Sequence, residues 1–348
     1  MEITVRSGSI EEMLLLVEEI GRGCRNEKRL KEVLDGPDYQ MEFCRYKGRV
    51  SREEFEAYIM ACPSLKADQI ENVALKSHHE CWRRAFADPG RYRRAWERWS
   101  RILTPEKLGE GIDSALAGLP SWVKLDGLEV VFTMGIGPSF GYPYGNCIHF
   151  DLMLLEALYG GEGGQQEFMS VVAHEMHHIG FAQVERQVDG QKLAESEVGY
   201  LCLAIAGEGL AVKFTNNYGG RLTRRIFPDQ PITCIDPDTY EYLMGDFDNT
   251  YAHFRQTVEK IRRGELRGRE AVDRELKEYW YNTYIEGQKE GEIPKLKQSR
   301  AYTFGGELWG SIYDAFGLET LYDTVLHPWL CVERFDEALI RLGKSGKE

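Results

Sequence analysis

Apolar positions recur at helical spacing along most of the chain. Between about residues 9 and 118 they alternate with charged positions every three to four residues. Prolines and glycines interrupt this pattern at Gly36-Pro37, Pro63, Pro89-Gly90 and Pro105. The pattern therefore predicts a helical N-terminal region built from four to six short helices.

The arginine-rich stretch from His78 to Leu103 contains one strongly amphipathic segment. Its apolar stripe consists of Tyr92, Ala95, Trp96, Trp99 and Leu103. The arginines fall outside this stripe, as expected for an ordinary amphipathic helix rather than a surface that binds nucleic acid. His78 and His79 have no other candidate ligand at metal-binding spacing, so we expect both on the surface.

The pattern changes at "LDGLEVVFTMGIG". The run Leu128–Thr133 is bounded by glycines and is typical of a short strand. Residues 146–152 form a second strand candidate with Ile148 and Phe150 on one face. This second strand is either an edge that a substrate peptide can extend or an internal strand.

Helical spacing returns after the glycine-rich "YGGEGGQQ". One helix carries "SVVAHEMHHIGF", a second extends roughly from Lys192 to Phe214, and the remainder is mainly helical. The fold class predicted is therefore α+β, mainly helical, with a small β-sheet. A composition change near residue 120 divides a helical N-terminal region (1–120) from a core with a helical C-terminal part (121–348).

Composition and charge narrow the functional class. With 43% hydrophobic and 28% charged residues the chain has the composition of a soluble globular protein, and its net charge of −13 disfavours general binding to nucleic acid or anionic membranes. No run approaches the roughly 18 apolar residues of a membrane span, and the N-terminus has no signal-peptide pattern. The eight cysteines form no C-x-x-C pair. We therefore expect a cytoplasmic protein with no membrane partner.

Three of the eight histidines lie within five consecutive positions. His174, Glu175 and His178 fit H-E-x-x-H, which places two imidazoles on one face of a helix about 5–6 Å apart between Cβ atoms. That separation lets both bind one Zn²⁺ ion, while the intervening Glu175 can act as general base. His177 points away from the pair, so we expect it on the surface or in contact with a ligand residue.

The residues around the motif support a buried metal site. Phe168, Val171, Val172, Ile179 and Phe181 flank it, and polar groups in such an apolar helix need partners. A catalytic zinc usually has a third protein ligand. The carboxylate candidates are Glu185, Glu195, Glu197 and Glu208. Glu208 is favoured because it lies in the strongly apolar "LCLAIAGEGLAVKF", where an unpaired carboxylate is costly.

"VVAHEMHHIGF" followed by "GEGLA" resembles the gluzincin zinc metallopeptidases, and in particular bacterial families described as predicted zinc-dependent proteases. The resemblance covers roughly residues 128–215 and implies a zincin-like core. It also implies that His174, His178 and Glu208 bind the metal and that Glu175 is the base. A Tyr-then-Gly pattern in "SRAYTFGGELWG" is similar to one in these families and suggests Tyr302 as the residue that stabilises the oxyanion.

We therefore predict a zinc-dependent peptidase that acts on peptides or proteins. Two alternatives remain: a zinc hydrolase of another amide or ester, and a non-catalytic regulatory or binding protein that retains a metallopeptidase core. The sequence contains no G-x-S-x-G elbow and only one Glu-x-x-His motif, which disfavours a serine hydrolase and a di-iron protein.

Overall fold

The computed structural model confirms a mainly helical α+β fold with one small sheet. It describes residues 2–285, 287–289, 292 and 294–344. The chain forms two compact units. The first comprises residues 2–111 and 125–169, and the second comprises residues 112–124, 170–285 and 294–344. The division near residue 120 into a helical N-terminal region and a core stays a prediction.

The sheet belongs to the first unit. Its strands are β1 (Ile3–Arg6), β2 (Leu128–Thr133), β3 (Gly141–Tyr144) and β4 (Cys147–Asp151). The spatial order is β1-β2-β4-β3, with β2 parallel to both β1 and β4, and β3 antiparallel to β4. Both predicted strands are confirmed, but β4 is internal, so it offers no free edge to a substrate peptide.

Seven helices precede β2: α1 (Gly8–Gly21), α2 (Glu27–Leu34), α3 (Pro37–Arg45), α4 (Arg52–Ala61), α5 (Val73–Ala87), α6 (Pro89–Ser100) and α7 (Pro105–Ala117). This exceeds the four to six predicted, because some helices begin at a capping residue rather than after a proline or glycine. Ser51, for example, accepts a hydrogen bond from the Glu54 amide at 3.1 Å and starts α4.

The remaining helices are α8 (Leu152–Tyr159), α9 (Gly164–Glu185), α10 (Gly190–Ala194), α11 (Glu197–Ala204), α12 (Ala206–Thr215), α13 (Pro237–Gly245), α14 (Phe247–Arg262), α15 (Arg269–Glu275), α16 (Arg300–Phe316), α17 (Leu318–Leu326) and α18 (Cys331–Arg341). The single helix predicted from Lys192 to Phe214 is wrong. Three shorter helices occupy this stretch, since Ser196 caps a new helix by accepting from the Gly199 amide at 3.0 Å.

The amphipathic helix of the first unit is confirmed as α6. Asp88 caps it and Pro89 occupies its first turn, while Tyr92, Trp96 and Trp99 are buried. Several outward arginines form ion pairs, including Arg93 with Glu18 at 2.9 Å. The helix thus buries an aromatic stripe and neutralises part of its charge.

His78 and His79 are buried, so the expectation that they lie on the surface is wrong. His78 Nε2 lies 2.9 Å from Asp151 Oδ2, and His79 Nδ1 lies 2.8 Å from the Tyr58 hydroxyl. Both partners are distant in sequence, which is why local spacing did not reveal them. The hydrogen bond to Tyr58 satisfies His79, and the attraction between His78 and Asp151 offsets the cost of burying both charges.

The second unit is organised around α16. Most of its residues are buried, and it packs against α12, α17 and α18. The run Glu197–Thr215, which spans α11 and α12, does have the length and hydropathy of a membrane span, contrary to the expectation from sequence. However, 61% of its most apolar window is buried inside the structure, as in the core helix of a folded domain.

Candidate metal centre

The histidine motif lies on α9, whose residues from Ser170 onward belong to the second unit. His174, Glu175 and His177 are buried, and His178 is partly buried. The flanking apolar residues predicted to be buried are all buried: Phe168, Val171, Val172, Ile179 and Phe181. The motif therefore sits in a largely apolar environment, where polar side chains require specific partners.

Three side chains converge at one point. The Nε2 atoms of His174 and His178 lie 3.0 Å apart, and Oε2 of Glu208 lies 3.2 Å from the first and 3.3 Å from the second. Ligand atoms bonded to a tetrahedral zinc at about 2.0–2.1 Å are separated by about 3.3 Å. The donor atoms and their spacing thus fit one shared zinc ion. They form the one group of possible metal ligands found among the described residues.

Asn216 fixes the orientation of the first imidazole. Its Nδ2 donates to the carbonyl of Ser170 at 3.3 Å, so its Oδ1 faces His174 Nδ1 as an acceptor at 2.7 Å. Nδ1 is therefore the donor in this contact, and the neutral imidazole in this tautomer has its lone pair on Nε2, the atom that faces Glu208 and His178. Metal-binding histidines are commonly held in this way by an oxygen acceptor. Sequence reasoning missed Asn216.

Burial and charge act in opposite directions on the pKa values of the cluster. Burial lowers the pKa of His178, but the neighbouring Glu208 carboxylate raises it to about 9. Burial raises the pKa of Glu208, whereas His178 and His174 hold it below its ordinary value. The carboxylate therefore stays ionised and favours positive charge at this point.

Glycines let α12 approach α16 closely enough to place Glu208. A Cβ atom on Gly209 would lie 2.2 Å from the carbonyl carbon of Gly305, and one on Gly305 would lie 2.4 Å from the Ile205 oxygen. Any larger residue at either position forces the helices apart. The glycine that follows Glu208 thus has a packing role in the crossing of these two helices.

Tyr302, in the first turn of α16, reaches the same site. Its ring lies parallel to the His174 imidazole, with 5.9 Å between centroids and an interplanar angle of 7°. Glu175 is buried beside His174 on α9. The structure thus brings Tyr302 to the cluster and leaves Glu175 next to it in the helix.

The other carboxylate candidates lie elsewhere in the second unit. Glu185 is exposed at the end of α9, and Glu195 is exposed after α10. Glu197 accepts a hydrogen bond from the Gly268 amide at 3.1 Å. Among the four candidates, only Glu208 joins the two histidines in the cluster.

His177 is fully buried, so it is not a surface residue. Its ring lies between those of Phe181 and Phe214, with centroid distances of 6.3 and 6.2 Å. Burial lowers its pKa well below the ordinary value. His177 is therefore a neutral packing residue of α9 that does not join the cluster of His174, His178 and Glu208.

Comparison with known protein families identifies a match over most of the chain. The model of a family described as "Putative zinc dependent peptidase (DUF5700)" matches residues 31–342, which include the whole of α9, α12 and α16. No curated protein and no solved structure matches the chain.

Proposed function

The chain belongs to this family of zinc-dependent peptidases, and we propose that it hydrolyses peptide bonds at a zinc site formed by His174, His178 and Glu208. The observation that carries the proposal is the triangle of Nε2, Nε2 and Oε2 atoms with edges of 3.0 to 3.3 Å. Three protein ligands leave a fourth position for water or substrate, as in catalytic zinc sites. Two motif histidines and a downstream glutamate are the gluzincin donor set, so we assign the site to that class.

Within this proposal each residue has a separate task. When bound, zinc supplies a Lewis acid that polarises the scissile carbonyl and makes water a stronger acid. Glu175 accepts the proton from the attacking water as the new C–O bond forms. It then delivers that proton to the amide nitrogen, so that the C–N bond breaks and a free amine leaves.

Tyr302 is the proposed donor to the carbonyl oxygen as negative charge develops on it. Its ring is held parallel to His174, which supports a position beside the reacting carbonyl. Removing the hydroxyl in Tyr302→Phe is expected to lower kcat by about 10²–10³ while zinc content is unchanged.

We propose that the substrate is a peptide or protein, as the family description supports, rather than another amide or ester. A base next to the ligand pair also argues against a purely structural zinc site, which usually has four protein ligands. The location proposed is the cytoplasm. All eight cysteines are free thiols in the structure, which is compatible with a reducing compartment.

Metal analysis combined with cleavage of a peptide library tests the proposal. The zinc-loaded protein should cleave peptides, and a chelator should abolish cleavage. Glu175→Gln should retain zinc and lose about 10²–10⁴ in rate, whereas His178→Ala should lose both zinc and activity. Glu195→Gln removes an exposed carboxylate and serves as the matched control. Full activity of Glu175→Gln would contradict the proposed role of this residue.

A further inference from the structure

A cavity of about 610 Å³ lies in the second unit. Its apolar wall contains Ile232, Ile235 and Tyr240, and Arg224 and Arg225 also line it. Its size is within the range of pockets that accept a side chain or a small ligand.

The apolar wall and the metal centre are linked by packing through Tyr302. Ile232, Ile235 and Tyr240 belong to the same apolar cluster as Tyr302, and the Tyr302 ring stacks on His174. The wall is also tied to Asn216, whose carbonyl accepts the Thr233 amide at 3.1 Å while its side chain holds His174. The residues that support His174 thus also support this cavity, which makes the cavity a candidate position for a substrate group next to the scissile bond.

The two arginines of the cavity differ from the other arginine of their loop. Among the described residues, neither Arg224 nor Arg225 forms an ion pair with a carboxylate, whereas Arg221 pairs with Asp248 at 3.2 Å. Arg225 donates only to the carbonyl of Gln230, at 2.8 Å. Two exposed arginines without an ion pair thus line a cavity in a chain whose net charge is −13.

Buried charges hold the backbone of Arg224 in place. Its amide donates to Asp314 at 2.9 Å, and its carbonyl accepts from Lys213 at 2.5 Å. Lys213 and Asp314 form an ion pair at 2.9 Å with almost no exposure to solvent. This ion pair accounts for the fully buried lysine on α12. Lys213 holds the loop that carries Arg224 and Arg225 through its hydrogen bond to the Arg224 carbonyl.

Glu307 holds the preceding part of the same loop. Its carboxylate accepts the backbone amides of Arg221, Leu222 and Thr223 at 2.6 to 2.9 Å. Gly220 passes so close to it that a Cβ atom would lie 1.7 Å from Oε1 of Glu307. The loop is therefore ordered before a ligand arrives, which lowers the entropic cost of binding.

We propose that this cavity binds a carboxylate of the substrate through Arg224 and Arg225 and so gives the enzyme a preference for peptides that place a carboxylate there. The inference rests on the proposed peptidase function of the neighbouring site. Guanidinium groups bind carboxylates through charge-assisted hydrogen bonds in a fixed planar geometry. The carboxylate is either an acidic side chain or the C-terminus of the peptide.

Hydrolysis of matched peptides measures this preference. One series of quenched fluorescent peptides carries Glu, Gln or Lys at a single scanned position, and one pair differs only in a free or amidated C-terminus. We expect the carboxylate form to have a KM about tenfold to a hundredfold lower than its neutral partner. A preference confined to the scanned series identifies a side chain, and one confined to the pair identifies the terminus.

Substitutions in this loop test whether Arg224 and Arg225 cause the preference for carboxylate peptides. Arg224→Gln combined with Arg225→Gln should raise KM for the carboxylate peptide to that of the neutral peptide, with little change in kcat. Arg221→Gln removes the same charge from the same loop outside the cavity and should leave the preference intact. High salt should weaken the preference because the arginines are exposed.

Binding provides a readout that does not require catalysis. Calorimetric titration of the Glu175→Gln protein uses acetylated Glu and Gln pentapeptides and the same peptide with a free or an amidated C-terminus. The form that supplies the bound carboxylate should bind about tenfold more tightly than its neutral partner, and the double arginine variant should abolish the difference. Discrimination in binding without hydrolysis by the wild type would support the cavity and contradict the peptidase. Hydrolysis with equal KM and equal affinity both within the Glu and Gln series and between the free and amidated C-termini would support the peptidase and overturn the inference.

Discussion

Among single residues, Asn216 orients a proposed zinc ligand, a role that the sequence did not predict. It is fully buried, donates to Ser170 and accepts from His174 Nδ1. Since its amide group is oriented by the first contact, the second contact fixes the tautomer of the imidazole. The proposed zinc affinity therefore depends on a residue that does not touch the metal.

Asn216→Leu is expected to weaken zinc binding by about 10- to 100-fold, because the His174 ring loses the acceptor that orients it. Asn216→Asp keeps an oxygen at the same place and should retain most of the affinity. Competition with a chromophoric chelator measures both constants. Equal zinc affinity in wild type and Asn216→Leu would show that the amide does not orient His174.

The sequence predicted that three side chains form the candidate metal site. Two of them are histidines one helical turn apart, and the third is a carboxylate in an apolar stretch. His174, His178 and Glu208 do come together. Asn216 was not predictable, since it follows α12 and reaches His174 only through the tertiary fold. The same reason explains the buried His78 and His79, whose partners Asp151 and Tyr58 are far away in sequence.

Among the elements, the crossing of α12 and α16 determines the geometry of the centre. α12 carries Glu208 and α16 carries Tyr302, and their backbones touch at Gly209 and Gly305. The segments "GEGLA" and "YTFGGE" thus provide the two sides of the contact between α12 and α16. A change in the spacing of these helices moves a proposed ligand and the proposed oxyanion donor together.

Gly209→Ala is expected to destabilise the fold by about 1–3 kcal/mol through overpacking and to weaken zinc binding. Gly207→Ala is the matched control, because its Cβ atom would meet nothing closer than 3.7 Å. Alanine there should be neutral or stabilise the helix by about 0.5–1 kcal/mol. Chemical denaturation and zinc titration of both variants test this difference, and identical behaviour would contradict the close contact.

The sequence patterns predicted whether a segment is a helix or a strand better than they predicted its first and last residues or the elements that it contacts. β2 and β4 lie where expected, but the internal position of β4 depends on β3, whose residues "GYPY" have no alternating apolar pattern. β1 has only four residues, too few to establish a period. The division of the predicted helix after Lys192 depends on a cap at Ser196 and not on hydrophobic spacing.

For the whole molecule, buried charge makes stability depend on pH. Burial lowers the pKa of His78 in the first unit, but Asp151 outweighs burial, with a smaller contribution from Cys81, and raises the pKa to about 10. In the unfolded chain the histidine titrates near its ordinary value of 6.5. The folded state therefore holds this proton over a range in which the unfolded state has lost it.

The stabilisation from His78 should be complete below pH 6.5 and lost progressively as pH rises toward 10. The expected slope is at most about 1.4 kcal/mol per pH unit. Denaturation at pH 6 to 9 in the presence of a chelator measures it without a contribution from metal binding. NMR of the ring carbons should show a protonated His78 at pH 8. A neutral ring at that pH, with no change in stability, would contradict the pairing with Asp151.

X-ray diffraction across the zinc absorption edge, from crystals of the zinc-loaded protein, tests the central claim most directly. We expect one anomalous peak within about 2.0–2.2 Å of His174 Nε2, His178 Nε2 and a carboxylate oxygen of Glu208. A zinc ion bound elsewhere, or a Glu208 side chain turned away from the two histidines, would contradict the account.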